Sequence, residues 1–220
     1  MIPTTRIEVD PSFPAALAMG MPDEDQVSEE GYGFFRDVWA LGEVSHGEAV
    51  RLIGEEKRLV RLVDQGSRNA AEFEALAKAL ERGEPEYLPP GYAAAHPGSE
   101  LVQLVSELDE ETATLDALEL GVAGLSYALS SVGCFTAASC RSHHDGGTWS
   151  DRPVIFFAAE RPTVHWLTPL IRDSGCGYAD GSERAERLLI VQAPSISNFM
   201  DLAERIVQQA QRQGAGGARS

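Results

Sequence analysis

The chain has 220 residues, of which 43 % are hydrophobic, and a formal net charge of −16 at pH 7. That length suits one large domain or a domain with an appendage, and no run of about 18 uncharged apolar residues is present to span a membrane. The start, MIPTTRIEVDPSF, has neither a basic n-region nor a continuous apolar h-region, and three cysteines are an odd count, so a cytoplasmic protein with reduced thiols is expected.

The charge is uneven. Before Cys134 there are 25 acidic residues against 9 basic ones; from Cys134 onward there are 9 of each. Such an acidic N-terminal part argues against non-specific binding of nucleic acid there. Sixteen arginines against two lysines is the usage of a GC-rich bacterial coding sequence and carries no functional information.

Residues 1–28 hold four prolines and the acidic cluster Asp23, Glu24, Asp25, and read as an irregular arm with a short strand at Arg6–Val9. Residues 29–83 read as an acidic helical region. In GYGFFRDVWALG, Phe34, Phe35, Val38, Trp39 and Leu41 recur at near-helical spacing before Gly42. A second helix is predicted from the N-cap Ser45 to Gln65, with Val50, Ile53, Val60 and Val63 as its stripe and Leu52, Leu59 and Leu62 widening the face. A third runs from Asn69 to Arg82 and stops at Gly83.

Residues 84–98, with four prolines and two glycines, cannot be a helix interior, because each proline removes a backbone donor. They read either as a linker between two regions or as a long surface loop of one domain. In the linker reading, a fragment from about Gly98 onward folds alone.

Ser99 opens a long helical stretch, Leu101 to Leu129, with a break near Asp109 capped by Asp109 or Thr112, and Gly133 follows it. Next come strands at 134–138 and 153–159, a helix near Pro162 interrupted at Pro169, strands at 176–178 and 187–193, and a helix from Ile196 to Arg212. Residues 213–220 read as a disordered tail. The order predicts an α+β module over 99–212: a small, mainly antiparallel four-stranded sheet packed by helices and preceded by the acidic helical region. The apolar strand PVIFFAA should be central, with both faces covered.

The stretch GCFTAASCRSHHDGGTW, 133–149, concentrates the groups able to do chemistry. Cys140, with Arg141 and two histidines beside it, is either a thiolate site raised by cationic neighbours or a half-buried structural cysteine. His143, three residues on, is the preferred acid or base, and His144 reads as surface or base of the loop. Thr136, Ser139 and Ser142 could hydrogen-bond an anionic or amide ligand, and Asp145-Gly146-Gly147 permits close backbone approach. Arg141, Arg152, Arg161 and Arg172 could hold a phosphate or carboxylate. A zinc set of Cys140, His143 and His144 with Cys176 or Asp145 is chemically acceptable, but the spacing matches no standard finger, so the sequence leaves metal and cofactor open. Cys134 reads as core.

Thr136, Ser139, Cys140 and His143 stand on a T-x-x-S-C-x-G-H pattern, with Ser142 in place of its glycine and Arg141 at its variable position. In this the chain resembles the tRNA wybutosine-synthesis methyltransferase family of archaea and eukaryotes, and bacterial and phage proteins with the Ser-Cys-x-Gly-His form. The likeness extends as an order of elements over residues 112–212. It implies S-adenosylmethionine and a tRNA base as that family's ligands; the acidic first 133 residues would repel RNA, so the methyltransferase activity is not carried over.

Two functions are therefore expected as rivals. One is a small-ligand or group-transfer site on Cys140 and His143. The other is a non-enzymatic acidic binder, of antitoxin, immunity or regulatory-subunit type, that meets a basic protein partner through the segment 43–86.

Overall fold

The structure, a computed structural model, describes residues 1–12, 19–27, 31–33, 35–36, 43–108, 115, 117–143 and 150–217. After a short 3-10 turn at Glu24–Gln26 come β1 (Gly31–Tyr32) and β2 (Phe35–Arg36), which pair antiparallel. The helices α1 (His46–Gly66), α2 (Ala70–Arg82), α3 (Tyr92–Ala95), α4 (Glu100–Glu107) and α5 (Ala123–Ser130) lead into β3 (Phe135–Cys140) and β4 (Val154–Ala158). Then follow α6 (Arg161–Asp173), β5 (Gly177–Asp180), β6 (Leu189–Gln192) and α7 (Ile196–Gly217). Strands β3 to β6 form one antiparallel sheet in the order β3-β4-β6-β5, so the chain has the expected α+β class.

Local chemistry explains the ends of the first two long helices. Ser45 accepts the Glu48 N–H while Glu48 accepts the Ser45 N–H, a reciprocal cap on α1. Asn69 accepts the Glu72 N–H to start α2, and Gly83 ends it in the left-handed region at φ 64°. The buried row of α1 is Ala49, Leu52, Ile53, Glu56, Leu59, Val60 and Val63; Val50, expected on the stripe, is exposed.

Strand β4 is buried at every position, as its composition requires. Ile155 and Phe157 join Leu189, Val191 and Tyr178 in a core closed by α5, α6 and α7, with Ala49 and Ile53 of α1 in the same cluster. Val154, Phe156 and Ala158 face the other way, against Tyr32 and Phe35 of the β1–β2 hairpin, where the Phe35 and Phe156 rings meet edge-on with centroids 4.8 Å apart. The arm lies along the outer edge of β5: Tyr178 donates its N–H to the Asp10 carbonyl at 2.7 Å, which covers an otherwise open edge. The strand expected at Arg6–Val9 reduces to that bridge at Asp10.

Several expectations are corrected. Gly31–Tyr32 and Phe35–Arg36 pair as antiparallel strands and not as a helix, because Gly31 and Gly33 take positive φ and a side chain at Gly33 would overlap Ala185 and the Arg184 carbonyl; Phe34, Val38, Trp39 and Leu41 lie outside the described residues. Residues 84–98 are not a bare linker. Tyr92 is buried among α1, α2 and α4 residues and donates its hydroxyl to the Gly66 carbonyl at 3.2 Å.

Among the described residues, the long helix expected after Ser99 is two short ones, α4 and α5. Ala117 (φ 62°) and Gly121 (φ 97°) break the pattern before α5, and Gly121 passes so close to Ile196 that no side chain fits. Asp109 and Thr112 lie outside the described residues. Pro169 is accommodated inside a continuous α6. The helix α7 continues to Gly217, five residues into the expected tail.

Candidate functional site

Strand β3 runs two residues further than its composition suggests, so Cys140 is the last strand residue, paired with Val154, and not the first of a loop. Its side chain lies on the hairpin face and is 1 % exposed. The thiol is therefore buried outright, deeper than the half-buried position that the sequence allowed for it. Arg141, Ser142 and His143 then leave the sheet. Ser142 does so at φ 71°, left-handed backbone that glycine adopts most easily, and its N–H donates to the Cys140 sulfur at 3.4 Å. The glycine-like conformation falls at the position where the sequence pattern has glycine.

Three carboxylates meet this turn. Glu74 and Glu81 are seven residues apart on α2, two turns along one face. Glu119 comes from the irregular stretch before α5; the break at Ala117 and Gly121 frees it from a helix and turns it toward β3. Arg141, 3 % exposed, donates from Nη2 to Glu74 at 2.7 Å and from Nη1 to Glu81, while its backbone N–H donates to Glu119 Oε2 at 2.8 Å. His143 places Nδ1 2.6 Å from Glu74 Oε1 and Nε2 2.8 Å from Glu119 Oε1. Glu119 Oε, Cys140 Sγ and a His143 ring nitrogen all lie within 4.8 Å of one another.

The electrostatics follow from this crowding. A buried guanidinium loses several kcal/mol of hydration, which its paired carboxylates offset. Burial opposes charge on Arg141, but Glu81 and Glu74 outweigh it and raise its pKa further. Hydrogen bonding to Cys140, Glu119 and Glu74 pushes His143 up to about 12, so both ring nitrogens carry protons at neutral pH. Burial pushes Glu74 up, yet the His143 hydrogen bond and the Arg141 charge prevail and hold it at about 2. Glu119 is lowered in the same way against its burial. Glu81 goes up to about 7, driven by burial with Arg141 opposing and Glu119 adding repulsion. Three carboxylates face two cations, and the proton held by Glu81 relieves the excess negative charge.

His143 is therefore a hydrogen-bond donor and a positive charge, not the free base its spacing suggested. Arg141, committed to Glu74 and Glu81, is not a holder of anions. Arg152 and Arg172 pair with their neighbours Asp151 and Asp173. Thr136 belongs elsewhere: its hydroxyl lies 3.3 Å from the Ser130 hydroxyl at the end of α5. Ser139 alternates onto the face of β3 opposite Cys140. Cys134 and Cys176 are buried in the helix-side core, which raises both thiol pKa values, so Cys176 is remote from Cys140 in the fold. His144, Asp145 and Gly146 lie outside the described residues.

The carboxylates escaped the sequence reading, although a signal for Glu74 and Glu81 was present. They lie beside Phe73, Ala77 and Leu80, where an exposed face would not place them. Their use here also means that part of the N-terminal acidic excess faces inward and is not displayed to a partner. Among the described residues, no helix is long and apolar enough to cross a membrane. No family model matches the chain, and neither a curated protein nor a solved structure matches it.

Proposed function

We propose that the niche at the end of β3 is a small-ligand or group-transfer site in which Cys140 supplies sulfur and His143 a proton donor. The observation that carries this reading is the convergence of Cys140, His143 and Arg141 with carboxylates from two other elements, Glu74 and Glu81 on α2 and Glu119 before α5. A purely structural ion pair needs no thiol. It also needs no histidine at the rim, where His143 and Glu119 keep 23 % and 32 % of their side-chain surfaces exposed above the buried sulfur. The cationic groups of the niche, Arg141 and His143, are already committed to carboxylates, which favours a cationic or neutral ligand over the anion that the serines and arginines suggested.

Iodoacetamide labelling of the native protein, read by peptide mass, tests the reading. Cys140 labels ahead of Cys134 and Cys176, and the His143→Gln variant changes its rate several-fold while the circular dichroism spectrum is kept. If Cys134 or Cys176 labels first, or if the Cys140 rate ignores the loss of His143, the thiol–imidazole reading fails.

A further inference from the structure

We infer that Glu119, Cys140 and His143 together bind one divalent cation of the zinc class. The inference rests on the reading of the niche as a ligand site and names what it holds. A thiolate, an imidazole and a carboxylate are the donor types that zinc accepts, and soft sulfur excludes magnesium and calcium as preferred occupants. The three donor atoms lie within 4.8 Å of one another. Tetrahedral zinc, with bonds of about 2.0–2.3 Å, spaces its donors roughly 3.3–3.8 Å apart. Sulfur and ring nitrogen therefore need no more than a small adjustment. The His143 Nε2 to Glu119 Oε1 pair, at 2.8 Å, opens by about half an ångström to one ångström.

The surroundings are built as an outer shell for such an ion. Glu74 accepts a hydrogen bond from His143 Nδ1 at 2.6 Å, which fixes the ring with Nε2 on Glu119. The Ser142 N–H points at the sulfur, as a backbone donor does beside a metal thiolate. Arg141 fixes Glu74 and, through its backbone N–H, the second oxygen of Glu119. Two polar atoms there, Glu74 Oε2 and Arg141 Nε, are buried without a hydrogen-bond partner among the described residues, so the cluster is not closed by its own contacts.

With three protein donors, water or a ligand takes the fourth position. The rim formed by His143 and Glu119 sets that position on the solvent side, as in zinc sites that do chemistry.

The test uses the full-length chain, stripped with chelator and titrated with Co²⁺ and Zn²⁺. One equivalent of Co²⁺ gives the visible bands of a tetrahedral site and a thiolate-to-cobalt charge-transfer band, and Zn²⁺ displaces it. Cys140→Ser removes the charge-transfer band, whereas Cys134→Ser and Cys176→Ser keep it. Glu74→Gln retains the spectrum at saturation but weakens binding by about 10- to 100-fold, as expected for a residue that positions a ligand. Should Cys140→Ser fail to fold, His143→Gln, at the rim, must abolish the tetrahedral bands.

An octahedral spectrum without a charge-transfer band in the wild-type protein overturns the inference. So does a band that survives Cys140→Ser or moves with Cys134. If metal fails while Cys140 still labels first and depends on His143, the thiol–imidazole site stands without an ion. If metal binds but the labelling order of the metal-free protein is otherwise, the ion is retained and the independent thiol chemistry is lost.

Discussion

Glu56, buried midway along α1, accepts the Gly121 N–H at 2.9 Å and so caps α5 from a different helix. The N–H groups of Gly124 and Ala123 also stabilise its charge, but burial outweighs them and pushes its pKa up to about 7. The unfolded chain titrates this carboxyl near 4.5. Between those values the folded state holds a proton that the unfolded state has lost, so stability falls as pH rises through that window. Above it the loss is constant, on the order of 3 kcal/mol. Urea unfolding of the wild type and Glu56→Gln at about pH 5 to about pH 8 checks this. The wild type loses stability relative to the variant as pH rises, and parallel curves for the two proteins would refute the assignment.

Gly124 lies against the same carboxylate, where an added Cβ would overlap Glu56 Oε2 and press on Ile53. On helix propensity alone, Gly124→Ala should stabilise α5 by about 1 kcal/mol. Overpacking at a filled site costs about 1–3 kcal/mol and displaces the cap, so the expected outcome is net destabilisation. In a Glu56→Ala background the obstacle is gone, and the same substitution becomes neutral or favourable. Additive effects in this double-mutant cycle would show that the two residues do not meet.

Ser142 holds a left-handed backbone that costs a non-glycine residue about 1–2 kcal/mol. Ser142→Gly removes that strain and adds back some unfolded-state freedom, so a gain of about 0.5 kcal/mol is expected. Ser142→Val, β-branched, should lose more than 1 kcal/mol, by roughly the cost of a strained residue. Thermal melts of the three proteins rank them glycine, serine, valine. A glycine variant less stable than the wild type would show that the serine side chain contributes more than its backbone costs.

Much of this fold was legible. Ser45, Asn69 and Gly83 mark helix ends through local hydrogen bonds and backbone freedom, and the unbroken apolar run of β4 signals burial on both faces. The errors arose where tertiary contact decides. Leu115, Leu118, Val122 and Leu125 keep helical spacing across a segment that Gly121 must break to pass Ile196. At the site, local spacing found Cys140 and His143, which are three residues apart. It could not find Glu119, which is brought in by that break, nor pair Glu74 with residues some 69 positions away. Glu56 was the nearest miss. It occupies the 49-52-56-59-63 row of α1, where a carboxylate among apolar neighbours has to be buried.

The interdependence of the two halves sets the last prediction. Proline density and the charge split suggested that a fragment from about Gly98 onward folds alone. In the structure, α1 packs on α5 and α7, and Ala49 and Ile53 belong to the core of the sheet, while Leu120, Ala123 and Ile196 belong to the core of α1 and α2. Removal of residues 1–97 uncovers those side chains, and each large apolar side chain so exposed costs about 1.5–3 kcal/mol. It also strips Glu74 and Glu81 from Arg141, and breaking a buried pair costs about 3–5 kcal/mol. Losses of that size are comparable with the whole of the roughly 5–15 kcal/mol that holds a domain together. The fragment 98–220 is therefore expected to lack dispersed amide resonances and a cooperative melt. Addition of the separately prepared 1–97 fragment should restore both, because α1 and α2 supply the missing half of the core. A fragment 98–220 that melts cooperatively by itself would show that the sheet and its own three helices α5, α6 and α7 suffice, and that the acidic helices are an attachment.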